Sequence, residues 1–276
     1  MRETPRRRLD QETQSQAGQA DSRTSDMVEP WAFAAQGDEF RGRFPDWARE
    51  AVYEAINRRR DVRRFRGTSI PEDVLRRVLD AAHHAPSVGF MQPWDFVLIR
   101  SVATRRAVKD LFERERQAAA CFYDEPRRSQ YLALKLEGIL EAPLNICVTC
   151  DPTRGGEVLG RNSMPETDVY STCLAVQNLW LAARAEGLGV GWVSILKTAW
   201  LREILGIPPH ILPVAYLCVG YPEQFEEQPL LETVKWRERL PLESVLHEEG
   251  WQCQAPNQKF STDSGTMYAR PGIPNS

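Results

Sequence analysis

The chain has no apolar run approaching the roughly 18 residues that cross a bilayer as a helix, and its mean hydropathy is −0.45, so a membrane-spanning helix is not expected. It also lacks an excess of charge of one sign. In 276 residues, 35 Lys+Arg against 38 Asp+Glu leave a net charge of −3 and a pI near 5.9, which argues against a general nucleic-acid binder. Histidine is scarce. His83 and His84 are adjacent on a helical stretch and point about 100° apart, and His210 and His247 lie far off without a carboxylate-rich pattern, so no metal site is expected. The six cysteines, Cys121, Cys147, Cys150, Cys173, Cys218 and Cys253, are too scattered in a long chain for a disulfide framework. Cys147 and Cys150 form a C-x-x-C, but inside an apolar strand with no preceding turn and no second pair, so they read as buried thiols. The Arg-rich start has no apolar segment of a secretory signal, and its acidic residues fit a transit peptide poorly; a cytoplasmic protein is expected.

What is present is a core-forming chain, with 42% apolar residues, between two polar ends. Residues 1–45 read as a disordered extension and 253–276 as a flexible tail, leaving 46–252 as one compact domain. Helical spacing runs over 46–56 and again from Ser69-Pro71 through Leu75, Val78 and Ala82 to a stop at Pro86. Further helices are predicted at 103–121, 130–140 and 200–205. Asp168 is placed as the N-cap of a long, nearly all-apolar helix to about Glu186. Strands are predicted at 96–99, around Ile146 and Val148, at 191–196 and at 214–219, which makes an α+β fold. Gly187-Leu188-Gly189-Val190-Gly191 imitates a dinucleotide fingerprint, but a helix precedes it and a strand follows, the reverse of what pyrophosphate binding needs. Gly187 is then a helix C-cap.

Five arginines fall within seven residues, Arg58 to Arg64, the strongest local charge feature of the chain. A solvated helix end is one reading; phosphate capture by planar guanidinium groups is the other, and the apolar neighbours favour it. Asp61 sits among them, where positive charge favours its ionised form. It serves either as a salt bridge that holds the arginines or as a carboxylate that accepts a proton from a ligand. Ser87, in the loop Pro86 to Pro93, either caps the turn or bonds a planar ring, while Phe90, Met91 and Trp94 suit both a core and the bed of a flat cofactor. Ser194 reads as a hydroxyl inside an apolar strand that needs a backbone or ligand partner; with no G-x-S-x-G around it, a hydrolase is not supported.

Three separated motifs, Arg59-Arg60-Asp61-Val62-Arg63, Pro86-Ser87-Val88-Gly89-Phe90-Met91-Gln92-Pro93-Trp94, and Asp168 to Thr172 with Gly191 to Ser194, resemble the nitroreductase-like flavoproteins, and more closely the BluB family of 5,6-dimethylbenzimidazole synthases. A common nitroreductase has Ser where Asp61 stands and usually Asn in place of the Phe90-Met91 pair. The resemblance implies a mixed, mainly antiparallel sheet flanked by helices, and a homodimer with FMN at its interface. It implies phosphate held by Arg59, Arg60 and Arg63 with Arg237 or Arg239, and flavin contacts from Asp61, Val62, Ser87, Gly89, Met91 and Ser194. Asp61 becomes the general base, and Ser194 the group that orients or relays protons. Reduced FMN would react with O2 and fragment to 5,6-dimethylbenzimidazole, the lower ligand of vitamin B12, and erythrose 4-phosphate, with Phe90, Met91 and the loop 151–166 as lid or wall. Electrons would come from NAD(P)H or a separate flavin reductase. The competing expectations are an NAD(P)H-dependent flavin reductase or nitroreductase that recycles FMN, and a protein that sequesters FMN without chemistry.

Overall fold

The structure, a computed structural model, describes residues 42–251. The expected tail 253–276, and all but residues 42–45 of the expected N-terminal extension, lie outside them. By its internal contacts the chain divides into two units, Met1–Val52 and Tyr53–Ser276. In the first, the described residues hold the opening turns of α1 (Asp46–Arg58), where Asp46 sits in the first turn and pairs with Arg49 at 2.8 Å. Everything below concerns the second.

Four strands, β1 (Trp94–Ile99), β2 (Leu144–Cys150), β3 (Gly189–Trp192) and β4 (Leu212–Gly220), form a sheet in the order β1-β2-β4-β3. All three ladders are antiparallel, and the parallel component is an isolated bridge between Asp61 and Val190. Successive side chains leave a strand on opposite faces, and the two central strands are buried on both. Leu144, Ile146 and Val148 of β2 and Ala215, Leu217 and Val219 of β4 pack with α2 (Glu72–His83) and α5 (Thr167–Ala185). Cys147, Tyr216 and Cys218 pack on the other face with α3 (Val102–Ala120) and α6 (Thr198–Leu205). This is helix, sheet, helix. It also explains the C-x-x-C: residues three apart on a strand face opposite ways, so Cys147 and Cys150 are buried on different sides of the sheet. Burial pushes the Cys147 thiol up to about 12.

The helices follow their sequence patterns. Leu75, Val78 and Ala82 bury one stripe of α2, and Val108, Leu111 and Phe112 one stripe of α3, which Ser101 caps by accepting the Thr104 N–H at 3.3 Å. The end of α5 is a Schellman turn: Gly187 has φ +74°, its N–H bonds Arg184 O, and Leu188 N–H bonds Ala183 O at 2.7 Å.

Four expectations are corrected. The helix expected over 130–140 is α4 (Arg127–Ala133); Leu134 turns extended, and 134–143 is irregular because polar side chains satisfy its backbone. The buried Arg105 donates to the carbonyls of Ile139, Leu140 and Ala142, and the buried Glu137 carboxylate accepts the Ile139 N–H at 2.8 Å. Asp168 does not cap α5. It lies within the first turn, buried, accepting the Val169 N–H at 3.0 Å and facing Arg161 at 3.8 Å, while Glu166 takes the N-cap position. The strand expected at 191–196 spans 189–192. Its ladder ends when Val193 N–H bonds Tyr216 O at 2.8 Å, and Ser194 falls in the exposed segment that follows. The hydroxyl is thus not inside a strand.

Candidate active site

The arginine cluster starts at the end of α1, with Arg58, and continues as extended chain and not as helix or turn. Beyond Arg58 the chain leaves α1 and runs along the outer edge of β3. Val62 N–H bonds Val190 O at 3.0 Å, and Phe65 bridges Pro222. Val62 and Phe65 are buried, which fixes the segment; of the two arginines between them Arg64 is exposed, whereas Arg63 is half-buried. The approach is close because the edge residues are glycines: a Cβ at Gly191 would lie 2.1 Å from the Val62 carbonyl oxygen, and one at Gly189 would lie 2.6 Å from Val62 Cγ2.

Beside this segment opens a cleft of about 710 Å³, in the range of small-molecule sites. Arg59, Arg60, Asp61 and Arg63 line one side, Gln177 of α5 contributes from below, and residues 227–232 with Arg239 form the facing wall. The four guanidinium groups differ in their partners. Arg59 lies over the Trp180 ring at 4.8 Å. Arg63 donates to Asp61 Oδ1 at 3.0 Å with its Nη2, and its Nη1 is buried without a hydrogen-bond partner. Arg60 gives Nη1 to the carbonyls of Asn57 and Arg59, both at 2.7 Å, and Nη2 to that of Glu227. Burial, and then the positive charge of Arg59, Arg239 and Arg184, lowers the Arg60 pKa. Arg239 reaches the cleft; Arg237 does not line it. Arg58 and Arg64 are exposed and lie outside the cleft.

Asp61 forms the salt bridge considered for it. Its Oδ1 takes the bond from Arg63 and accepts the Trp192 N–H at 3.2 Å, so the carboxylate ties the arginine segment to β3. Both bonds fall on Oδ1, and with 46% of the side chain exposed the carboxylate still faces the cleft.

Ser87, Gly89, Met91 and Ser194 do not line this cleft. The turn 88–92 is anchored near the start of α5, where Ser171 Oγ accepts the Val88 N–H at 3.0 Å, whereas Trp180 Nε1 donates to Arg60 O at 3.3 Å near its end. Nine helical residues separate these anchors by about 13 Å. Within the turn, Gly89, Phe90 and Gln92 have φ of +50°, +55° and +50°, a strained backbone for the last two. Ser87 Oγ accepts the Gln92 N–H at 3.1 Å, and Arg154 clamps the turn to the loop 151–166 through Gln92 O, Trp94 O and both carboxylate oxygens of Asp95. Met91 is buried, but Phe90 is 79% exposed, and Leu159, whose backbone lies against Gly89, and Tyr170 and Leu174 of α5 are exposed as well. Ser194 lines a separate depression of about 210 Å³ with Trp192 and Leu201.

Sequence reasoning missed Gln177 and the 227–232 wall. Gln177 carried a signal, an amide in the midst of an apolar helix; the wall carried none, since it is ordinary polar loop sequence.

Residues 56–221 match the nitroreductase family, and the chain belongs to it. A 5,6-dimethylbenzimidazole synthase of Rhodospirillum rubrum is 47% identical over 184 residues, covering 66% of this chain and 87% of the relative. Another, of Rhodobacter capsulatus, is 43% identical over 202 residues, covering 72% and 97%. Within the nitroreductase family, therefore, the chain groups with the 5,6-dimethylbenzimidazole synthases of the BluB type. Among solved structures, an oxidized iodotyrosine deiodinase bound to FMN and 3-iodo-L-tyrosine has the same fold, with a TM-score of 0.59 at 20% identity over 72% of this chain and 100% of that one. Among the described residues no helix is long and apolar enough to cross a membrane, and no group of three or more His, Cys, Asp or Glu could hold a metal ion.

Proposed function

We propose that this protein is a 5,6-dimethylbenzimidazole synthase that takes reduced FMN and O2 to 5,6-dimethylbenzimidazole and erythrose 4-phosphate, with the pyrimidine portion of the flavin ring released, oxygenated, as a third fragment. The observation that carries the reading is the meeting, in one cleft, of Arg63 with its buried unpartnered Nη1, the cationic Arg59 and Arg239, and a carboxylate, Asp61, where the relatives' chemistry needs a phosphate clasp beside a base. Reduced FMN supplies both the electrons that O2 accepts and the carbon skeleton of the products. The chain's own groups then have separate tasks. Arg59, Arg63 and Arg239 hold the phosphate, and the choice between Arg237 and Arg239 falls on the one that reaches the cleft. Val62 seals the segment against Gly189 and Gly191. Asp61, oriented by Arg63 and the Trp192 N–H, accepts a proton from the substrate with the oxygen those bonds leave open.

Ser87, Gly89, Met91 and Ser194 serve the same substrate when a second copy of the chain is present. Their separation from the arginine cleft, together with the exposed Phe90, Leu159, Tyr170 and Leu174, supports a homodimer with FMN between the subunits and water excluded by the loop 151–166. Ser194 then orients or relays a proton at the flavin ring. Electrons for FMN reduction come from NAD(P)H or a separate flavin reductase, and the site of action is the cytoplasm.

The test is to mix purified protein with chemically reduced FMN, admit air, and measure benzimidazole and FMN by chromatography with mass detection, against a control without protein. Product with a matching loss of FMN is expected. Intact oxidised FMN and no benzimidazole, with binding of reduced FMN demonstrated, refutes the reading.

A further inference from the structure

The segment 226–233 forms the outer wall of the cleft, and its ends are anchored more firmly than its middle. At the near end Glu223 N–H bonds Arg64 O at 3.2 Å, and Arg184 lies over the Phe225 ring at 3.9 Å. At the far end Gln130 Nε2 bonds Val234 O at 3.1 Å, and Trp236 packs with Arg127, Tyr123 and Tyr131. Between these anchors, among the described residues, one hydrogen bond ties the strap to the body: Arg60 Nη2 to the carbonyl of Glu227.

We propose that Arg60 is a positioning residue, a latch that holds the 226–233 strap closed over the phosphate end of the cleft. Its partners are the first reason. Three of its five N–H donors go to backbone carbonyls, one of them on the strap, so the fold holds the guanidinium in place before any ligand arrives, and its Nε is buried and unpartnered. The position of the side chain is the second. A neighbouring cavity of about 350 Å³, with Arg58, Arg184 and Phe225 on its walls, shares Arg60 and Glu227 with the main cleft, so these two residues form the partition between the two spaces. Breaking their bond joins the cavities and frees the strap. The third is charge: Arg60 sits among Arg59, Arg184 and Arg239, a repulsion that a bound phosphate relieves, so ligand binding tightens the latch.

This inference rests on the FMN reading for its ligand but not for its mechanics, and the experiment separates the two. Hydrogen exchange is followed at 226–233 in the full-length ligand-free protein, in the wild type, Arg60→Ala and Arg60→Lys, beside release rates of FMN and riboflavin. Loss of a charge-assisted bond predicts exchange at 226–233 faster by about 10-fold or more in Arg60→Ala, with the amides of β4 unchanged. FMN and riboflavin, which lacks the phosphate, leave faster by the same factor, KM rises while kcat holds, and Arg60→Lys restores part of each effect. Unchanged exchange at 226–233 with weakened binding confined to FMN overturns the proposal, because it marks Arg60 as a phosphate ligand. If circular dichroism shows that Arg60→Ala does not fold, the same comparison decides with Arg60→Lys. A wild type that makes no benzimidazole while Arg60→Ala still loosens the strap sinks the proposed function and leaves the latch standing.

Discussion

Substituting Gly191 by alanine tests whether the site depends on the close approach of the arginine segment to β3. Gly191 has no left-handed φ, so alanine adds no backbone strain and the effect isolates the contact. The new Cβ would stand 2.1 Å from Val62 O and 3.0 Å from Arg63 Nη1. That is about 1.2 Å inside the ordinary approach of carbon to a carbonyl oxygen. Neither atom can yield cheaply, since one is backbone and the other belongs to a side chain only 15% exposed. The segment must move off, which costs the Val62 N–H to Val190 O bond and the bond from Trp192 N–H to the Asp61 carboxylate. Taking about 1 kcal/mol for the neutral bond and about 1.5–3 for the charged one, the loss is about 2.5–4 kcal/mol. Alanine's smaller unfolded-state entropy returns about 0.5–1 kcal/mol, for a net loss of about 1.5–3.5 kcal/mol. At about 2–4 °C per kcal/mol for a domain of this size, Tm falls by about 3–14 °C. The assays are denaturant unfolding and FMN titration by flavin fluorescence, with Gly67→Ala, where a Cβ meets nothing within 4 Å, as a control expected within about 0.5 kcal/mol of wild type. Unchanged stability and FMN affinity in Gly191→Ala would refute the argument that this contact builds the cleft.

Asp61→Asn, which keeps an acceptor for Arg63 and Trp192 N–H but removes the base, is expected to bind FMN and to form product about 10²-fold or more slowly in single-turnover assays. In Arg63→Ala the affinity for FMN should fall by about 10- to 100-fold while that for riboflavin barely changes, measured by parallel titrations. Glu137 supplies a pH test. Burial alone would raise its pKa, but bonds from Lys109, Lys135 and the Ile139 N–H outweigh that and hold it below the ordinary 4.5. A depressed native pKa contributes stability that is complete above the unfolded value and lost as pH falls through the native one, so the loss begins below about pH 4.5. Urea midpoints across this range should fall less steeply in Glu137→Gln than in wild type.

Much of the fold was legible because it is written locally. The stripes of α2 and α3, the glycine that ends α5 and the apolar runs of β2 and β4 depend on neighbours a few residues away, and each formed within a few residues of its expected place. Where the reading failed, a distant partner had changed the outcome. The helix expected to 140 stops at Ala133 because Arg105 and Glu137 satisfy the backbone beyond it, and Asp168 is buried against Arg161 where local rules favoured a cap.

The site divides the same way. The sequence by itself determined which groups could do chemistry: the arginines from Arg58 to Arg64, the carboxylate among them, and the motifs that mark the family. Only the tertiary structure decided their partners, because these are residues far apart in the chain. Trp192 orients Asp61 across 131 positions, and Glu227 engages Arg60 across 167. Arg239 enters the cleft while Arg237 stays outside it. No local pattern encodes such pairings; they exist because the sheet edge at Gly189 and Gly191 has no side chain to keep the arginine segment away.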